Sequence, residues 1–205
     1  MTIETASDRP LLDVRNYVRW FDAALPAAFC AQMLDSFHKM AQFHSSNGRG
    51  HSGVLDQSAW VELNIQPHVD KAFMGFFYAQ IDRYLAEYNA RLPMTLPVPT
   101  RPRLEDLRIK RYRHDSDDRF QPHFDAADAH SSRYLVFLWY LNDVAEGGET
   151  EFPDLGVKVS ARAGRLLIFP PYWMFQHAGL KPISNDKYIV STYLLWEANL
   201  DSRIR

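Results

Sequence analysis

His123, Asp125 and His177 are the residues of this chain best suited to chemistry. They stand in the runs Gln121-Pro122-His123-Phe124-Asp125 and Phe175-Gln176-His177-Ala178-Gly179. Two imidazoles and one carboxylate form a ligand set that suits Fe(II) and leaves coordination positions open. In a strand, residues i and i+2 point to the same face, so an extended His123–Asp125 segment offers both side chains to one ion. Lys187 follows His177 by ten residues and opens the β-branched and aromatic run up to Trp196. A lone cation at that place can anchor an anionic cosubstrate.

Such side chains need a scaffold. With 205 residues, 46% of them hydrophobic, the chain can bury a large core in one domain. A net charge of −2, with acids and bases interspersed, argues against nucleic acid or an anionic membrane surface as an obligate partner. Cys30 is the only cysteine, which excludes an internal disulfide and a cysteine-based zinc site. A cytoplasmic location is expected. The first ten residues lack the apolar stretch of a signal peptide, and no apolar run reaches the roughly 18 residues that span a bilayer.

Along the chain, residues 1–9 read as a loose terminus and 12–18 as a strand. Pro26 opens a helix over 26–40, with Phe29, Met33 and Phe37 on one face. Residues 44–53 are polar and glycine-rich and read as a mobile loop. A short strand over 60–63 and a long helix over 67–91 follow, and the proline-rich stretch 93–103 is a connector. From Leu107 onward the pattern is strand-like. Short strands are expected at 107–112, 133–141, 150–152, 157–159, 165–169, 174–177 and 188–196, punctuated by glycines and by Pro170-Pro171. The expectation is a mainly β fold with an α-helical layer, one structural domain overall. Residues 1–103 supply a strand and supporting helices, and 104–205 supply the catalytic β-core.

The second half resembles the 2-oxoglutarate- and Fe(II)-dependent oxygenases, within them the prolyl 4-hydroxylase-like group. The resemblance runs from about Leu107 to Trp196. It rests on ordered elements: Arg111-Tyr112, His123-x-Asp125, Trp139-Tyr140-Leu141-Asn142, Gly147-Gly148-Glu149-Thr150-Glu151-Phe152-Pro153, Ala163-Gly164-Arg165 through Phe169, His177, and Lys187. It implies a double-stranded β-helix (jelly-roll or cupin-like) core with the N-terminal helices packed on one sheet. It implies that His123, Asp125 and His177 are the catalytic metal ligands. It further implies that Lys187 pairs with the far carboxylate of 2-oxoglutarate, helped by hydroxyls from Tyr112 and Tyr140. Ser191, on the same strand face as Lys187, and Thr150 are further candidates for that pocket. The implied cofactors are Fe(II), 2-oxoglutarate and O2, with ascorbate as a supporting reductant. The implied reaction hydroxylates a C–H bond of an amino acid, a peptidyl residue (proline among them) or a small metabolite, releasing succinate and CO2. Asp125 favours hydroxylation, since halogenating members usually lack this carboxylate.

Two rivals stand beside this reading: a non-catalytic metal- or 2-oxoglutarate-binding sensor module, and a zinc hydrolase. The hydrolase leaves Lys187 without a role and ranks last. His114 and His130 are expected to be loop residues rather than ligands, and His44 and His51 have no carboxylate spacing for a second metal. Asp115, Asp117 and Asp118 read as a solvated hairpin tip. Trp173 reads as packing, and Arg165 is placed toward the substrate mouth. The 44–56 and 126–132 segments are lid candidates. The expected partner is a small-molecule or peptide substrate, with no nucleic acid and no membrane, and oligomeric state is not encoded legibly. The chain shows no added peptide-binding domain, which argues against a collagen-like substrate.

Overall fold

The computed structural model describes residues 13–51, 55–92, 94–100 and 103–196. Two helices precede most of the strands. The elements are Arg19–Phe21 (β1), Ala27–Lys39 (α1), Ser45–Gly48 (β2), Ala59–Asn64 (β3) and Lys71–Arg91 (α2). After these come Arg103–Leu104 (β4), Arg108–Tyr112 (β5), Phe120–His123 (β6), Arg133–Tyr140 (β7) and Thr150–Phe152 (β8). Val157–Val159 (β9), Leu166–Phe169 (β10), His177–Gly179 (β11) and Lys187–Leu195 (β12) complete the chain.

Among the described residues the strands form two antiparallel sheets. The larger runs β1-β10-β7-β12-β5-β3-β2, with β4 paired to β12, and the smaller runs β6-β11-β8-β9. Strand alternation divides the interior in two. Phe137 and Trp139 of β7 and Tyr188 and Val190 of β12 point outward from the pair of sheets. There they meet Met33 and Phe37 of α1 and Phe77, Ile81, Tyr84 and Leu85 of α2. The interleaved residues Val136, Leu138 and Tyr140, with Ile189, point between the sheets toward Phe152 and Val159. This is the double-stranded β-helix with helices layered on one sheet. Within α1 the apolar spacing is helical and Pro26 sits at the N-cap, while in α2 the Asp70 carboxylate caps the start by accepting from the Phe73 N–H at 2.8 Å. The helix-facing core is large, and Phe77, edge-on to Trp139 with ring centroids 5.2 Å apart, lies at its centre.

Four local expectations change. Of the strand expected at 12–18, Val14–Tyr17 is a 3-10 turn, because the Asp13 carboxylate accepts from the Arg15 N–H and closes the chain on itself; residue 12 lies outside the described residues, as do 1–11. The glycine-rich 44–53 segment contains β2, which pairs with β3 from Ser45↔Glu62 to Gly48↔Ala59. Backbone pairing at a sheet edge needs no apolar side chains. Gly48 turns the chain at φ 86°, and a Cβ there would collide with the Ser58 carbonyl. The strand expected at 174–177 is a 3-10 turn over Trp173–Phe175, and pairing begins only at His177, after Pro170-Pro171 has withdrawn two donors from the ladder. Asp115 and Asp117 are exposed as expected, but Asp118 is buried and accepts from the Arg113 backbone and guanidinium and from Ser116, so it organises the turn from inside.

Candidate metal and cosubstrate site

Strands β6 and β11 place His123 directly opposite His177, with ring centroids 4.3 Å apart. Asp125 follows just beyond the end of β6. Its N–H and that of Ala126 both donate to the Pro171 carbonyl at 3.0 Å, and Arg133 Nη1 donates to its carbonyl at 3.2 Å. The backbone is thereby held from both sides where the ladder has ended. Nδ1 of His123 meets the Gln121 carbonyl at 2.8 Å, and Nδ1 of His177 meets the Phe175 carbonyl at 3.1 Å. A proton on each Nδ1 leaves each Nε2 lone pair pointing inward. His123 Nε2 stands 3.4 Å from Asp125 Oδ1 and His177 Nε2 3.4 Å from Oδ2.

One ligand atom from each of the three lies within 4.8 Å of the others. Oδ2 of Asp125 is buried without a hydrogen-bond partner, a costly arrangement that a bound cation relieves. Burial, then the neighbouring His123, pushes the His177 imidazole down to about 4. Burial alone would raise the Asp125 carboxyl, but the two imidazoles and Lys110 outweigh it and hold it below the ordinary carboxylate range. A neutral His177 and an ionised Asp125 are the forms that ligate a metal. The donor set therefore fits Fe(II).

A second group lies deeper. Lys187 is 2% exposed and sits opposite Tyr112 of β5 in register. Its ammonium is 5.4 Å from the centre of the Tyr112 ring and 5.7 Å from that of Tyr140. Among the described residues no carboxylate lies within ion-pair distance of it. Burial pulls it down to about 7, opposed by Glu149. Lys187, Tyr112, Thr150 and Ser191 line one inner cavity together with the triad. Gly179 lines it too, and a Cβ there would stand 3.9 Å from the Lys187 ammonium and 3.4 Å from Phe120. A buried, unpaired cation at the end of a cavity fits a ligand with a free carboxylate. Tyr140 is not on the lining. Its hydroxyl donates to Thr150 Oγ1 at 2.7 Å, so it positions Thr150 from behind.

Residues 107–195 match the family model of the 2OG-Fe(II) oxygenase superfamily. Over these residues the chain is similar to that superfamily. The match and the His-Asp-His triad together support a 2-oxoglutarate-dependent oxygenase with Fe(II), 2-oxoglutarate and O2 as its cofactors. No curated protein sequence matches the chain. Solved structures share the fold. The 2OG complex of a viral collagen prolyl hydroxylase from Paramecium Bursaria Chlorella virus-1 superposes with a TM-score of 0.61 at 19% identity, over 86% of this chain and 94% of that one. A Pseudomonas putida prolyl-4-hydroxylase gives 0.63 at 18%, over 87% and 92%. A Trichoplax adhaerens prolyl hydroxylase, in complex with a peptide fragment of the hypoxia inducible factor oxygen degradation domain, gives 0.65 at 17%, over 88% and 84%.

In this oxygenase a wide cleft of about 730 Å³ leads to the triad from outside. Asn47 and Leu55 line it on one side and residues 127–130 on the other, so both lid candidates border it. Three features escaped the sequence reading. Tyr193 donates its hydroxyl to Asp125 Oδ1 at 3.1 Å. Its signal was parity, since it shares a strand face with Lys187 and Ser191. Arg133 forks onto Glu105 at 2.6 and 2.7 Å and lies 3.8 Å over the Tyr193 ring, which fixes that ring. Lys110 lines both the cleft and the inner cavity, two residues from Tyr112.

Other candidates sort themselves by their partners. His114 pairs with Asp186 at 2.7 Å, His44 stacks on Phe37, and His130 is exposed at the cleft. Arg165 is buried against Asp22 and Ser160, so it does not face the mouth; Trp173 is 66% exposed, so it is not core packing. No helix among the described residues is long and apolar enough to cross a membrane.

Proposed function

We propose that this oxygenase hydroxylates a C–H bond of a peptidyl residue, proline foremost, with release of succinate and CO2. The observation that carries the reading is the buried triad sharing one cavity with an unpaired lysine. His123, Asp125 and His177 would hold Fe(II). Lys187 receives the far carboxylate of 2-oxoglutarate as a point charge, and the Tyr112, Thr150 and Ser191 hydroxyls orient it. Tyr193 keeps Asp125 in its ligating orientation. Phe169 and Leu138 contribute apolar wall to the inner cavity beside these polar groups. The bound iron and cosubstrate supply the activation of O2 that oxidises the substrate C–H bond.

An open cleft of this size favours an extended peptide over a small metabolite. The shared fold with prolyl hydroxylases, one of them holding a peptide, supports the same choice. A collagen prolyl hydroxylase superposes over 94% of its own length, which supports keeping repetitive proline sequences among the substrates to be tested. In this reading the N-terminal segment supports the core: β1 lies at one edge of the larger sheet, β3 and β2 extend the other, and the helices layer over it. The test is succinate release and a mass gain of one oxygen across proline-containing peptides. Asp125→Ala should abolish both. Metal binding without succinate from any peptide would instead make the chain a sensor module.

A further inference from the structure

The cleft outside the triad is lined by charged side chains, and nearly all are paired. Glu62 accepts from Arg108 at 2.7 Å and from Trp60 Nε1 at 3.0 Å. Glu105 takes both arms of Arg133. Asp106 accepts from Asn64 at 2.8 Å, and Asp125 belongs to the triad. Asp128 is exposed at the lip. Lys110 differs. Among the described residues no carboxylate lies within ion-pair distance of its ammonium. It is half-buried and stands instead over two aromatic rings, 5.5 Å from the centre of Trp60 and 5.7 Å from that of Phe120. Those rings form a stack that ends on a metal ligand: Trp60 to Phe120 at 4.7 Å, and Phe120 to His123 at 3.7 Å.

Lys110 is also in register with Ile189 of β12 and Glu62 of β3, on the face that carries Tyr112. It therefore lies in the wall shared by the cleft and the inner cavity, while Lys187 lies at the inner cavity alone. Two cations at two depths suit two different anions. An ammonium held over aromatic faces has no fixed hydrogen-bond acceptor, so its donors are free for a ligand.

We propose that Lys110 recognises a carboxylate on the substrate, so that the oxygenase prefers a substrate with an anionic group beside the carbon it hydroxylates. This rests on the oxygenase reading of the site and adds the substrate's charge to it. The carboxylate comes either from an acidic side chain flanking the target residue or from the free α-carboxylate of an amino acid. The geometry of Lys110 serves both.

Binding to the protein loaded with Mn(II) and 2-oxoglutarate under nitrogen tests this without turnover. The probes are matched pairs: Ala-Ala-Pro-Asp-Ala against Ala-Ala-Pro-Asn-Ala, and L-proline against L-prolinamide. Tryptophan fluorescence reads the titration, since Trp60 adjoins Lys110. Wild type should bind the carboxylate member of one pair about tenfold more tightly, the scale of one charge-assisted hydrogen bond, and which pair discriminates identifies the source. Lys110→Met should erase the preference and Lys110→Arg should keep it. If neither pair discriminates, the proposal is overturned. It is also overturned if Lys110→Met keeps the preference but weakens 2-oxoglutarate binding, which would place Lys110 at the cosubstrate. Failure of wild type to bind 2-oxoglutarate in a metal-dependent way would instead sink the oxygenase reading beneath it.

Discussion

Replacing Lys187 by Met tests the cosubstrate assignment through two linked measurements. The side chain is almost wholly buried, and its ammonium has only tyrosine rings for company. Removing one partner of a buried charge pair costs about 2–5 kcal/mol, so the Kd for 2-oxoglutarate should rise about 30- to 4000-fold. The pH dependence supplies an independent check. Burial lowers Lys187 to about 7 in the folded protein, against 10.5 for the ordinary side chain. Between those values the unfolded chain binds the extra proton and the native chain does not. Stability of the cosubstrate-free protein therefore rises with pH across that window, by roughly 1.4 kcal/mol per unit. Below pH 7 both states are protonated and the full penalty of the buried charge is present. Binding of the cosubstrate carboxylate must recharge Lys187, so above pH 7 the apparent Kd should climb by up to about tenfold per unit. Urea denaturation and isothermal titration at pH 7 and 9 read both slopes. Lys187→Met should flatten both and should be the more stable protein at pH 7 without cosubstrate. An unchanged Kd together with an unchanged pH slope would refute the assignment.

Two further outcomes are expected. Tyr193→Phe removes the hydroxyl that donates to Asp125 and should lower metal affinity by about 10- to 100-fold in a metal titration, with the circular dichroism spectrum unchanged. Phe77→Ala empties the centre of the helix-facing core and should lower unfolding free energy by about 3–5 kcal/mol, while the folded fraction binds 2-oxoglutarate with wild-type affinity.

Metal chemistry, the helices and most strands were legible in the sequence because each is written locally. His123, Asp125 and His177 show as one ligand set through residue type and spacing, and apolar periodicity marks the strands and helices around them. Where the reading slipped, short-range polar contacts or tertiary pairing had the deciding voice. Asp13 curls a segment whose alternation suggested a strand, and β2 is a strand only because β3 accepts its backbone. Arg165 turned inward because Asp22, far away in sequence, receives it. What only the fold decided is which side chains face one another. The cross-strand pairing of β6 with β11 sets His123 against His177, and the face of β12 carries Lys187, Ser191 and Tyr193 to one cavity. The same is true of the pairing state of each cleft charge, which singles out Lys110. A sequence states that a residue is charged. Whether its partner is a carboxylate, an aromatic ring or a ligand depends on contacts between strands that chain order does not encode.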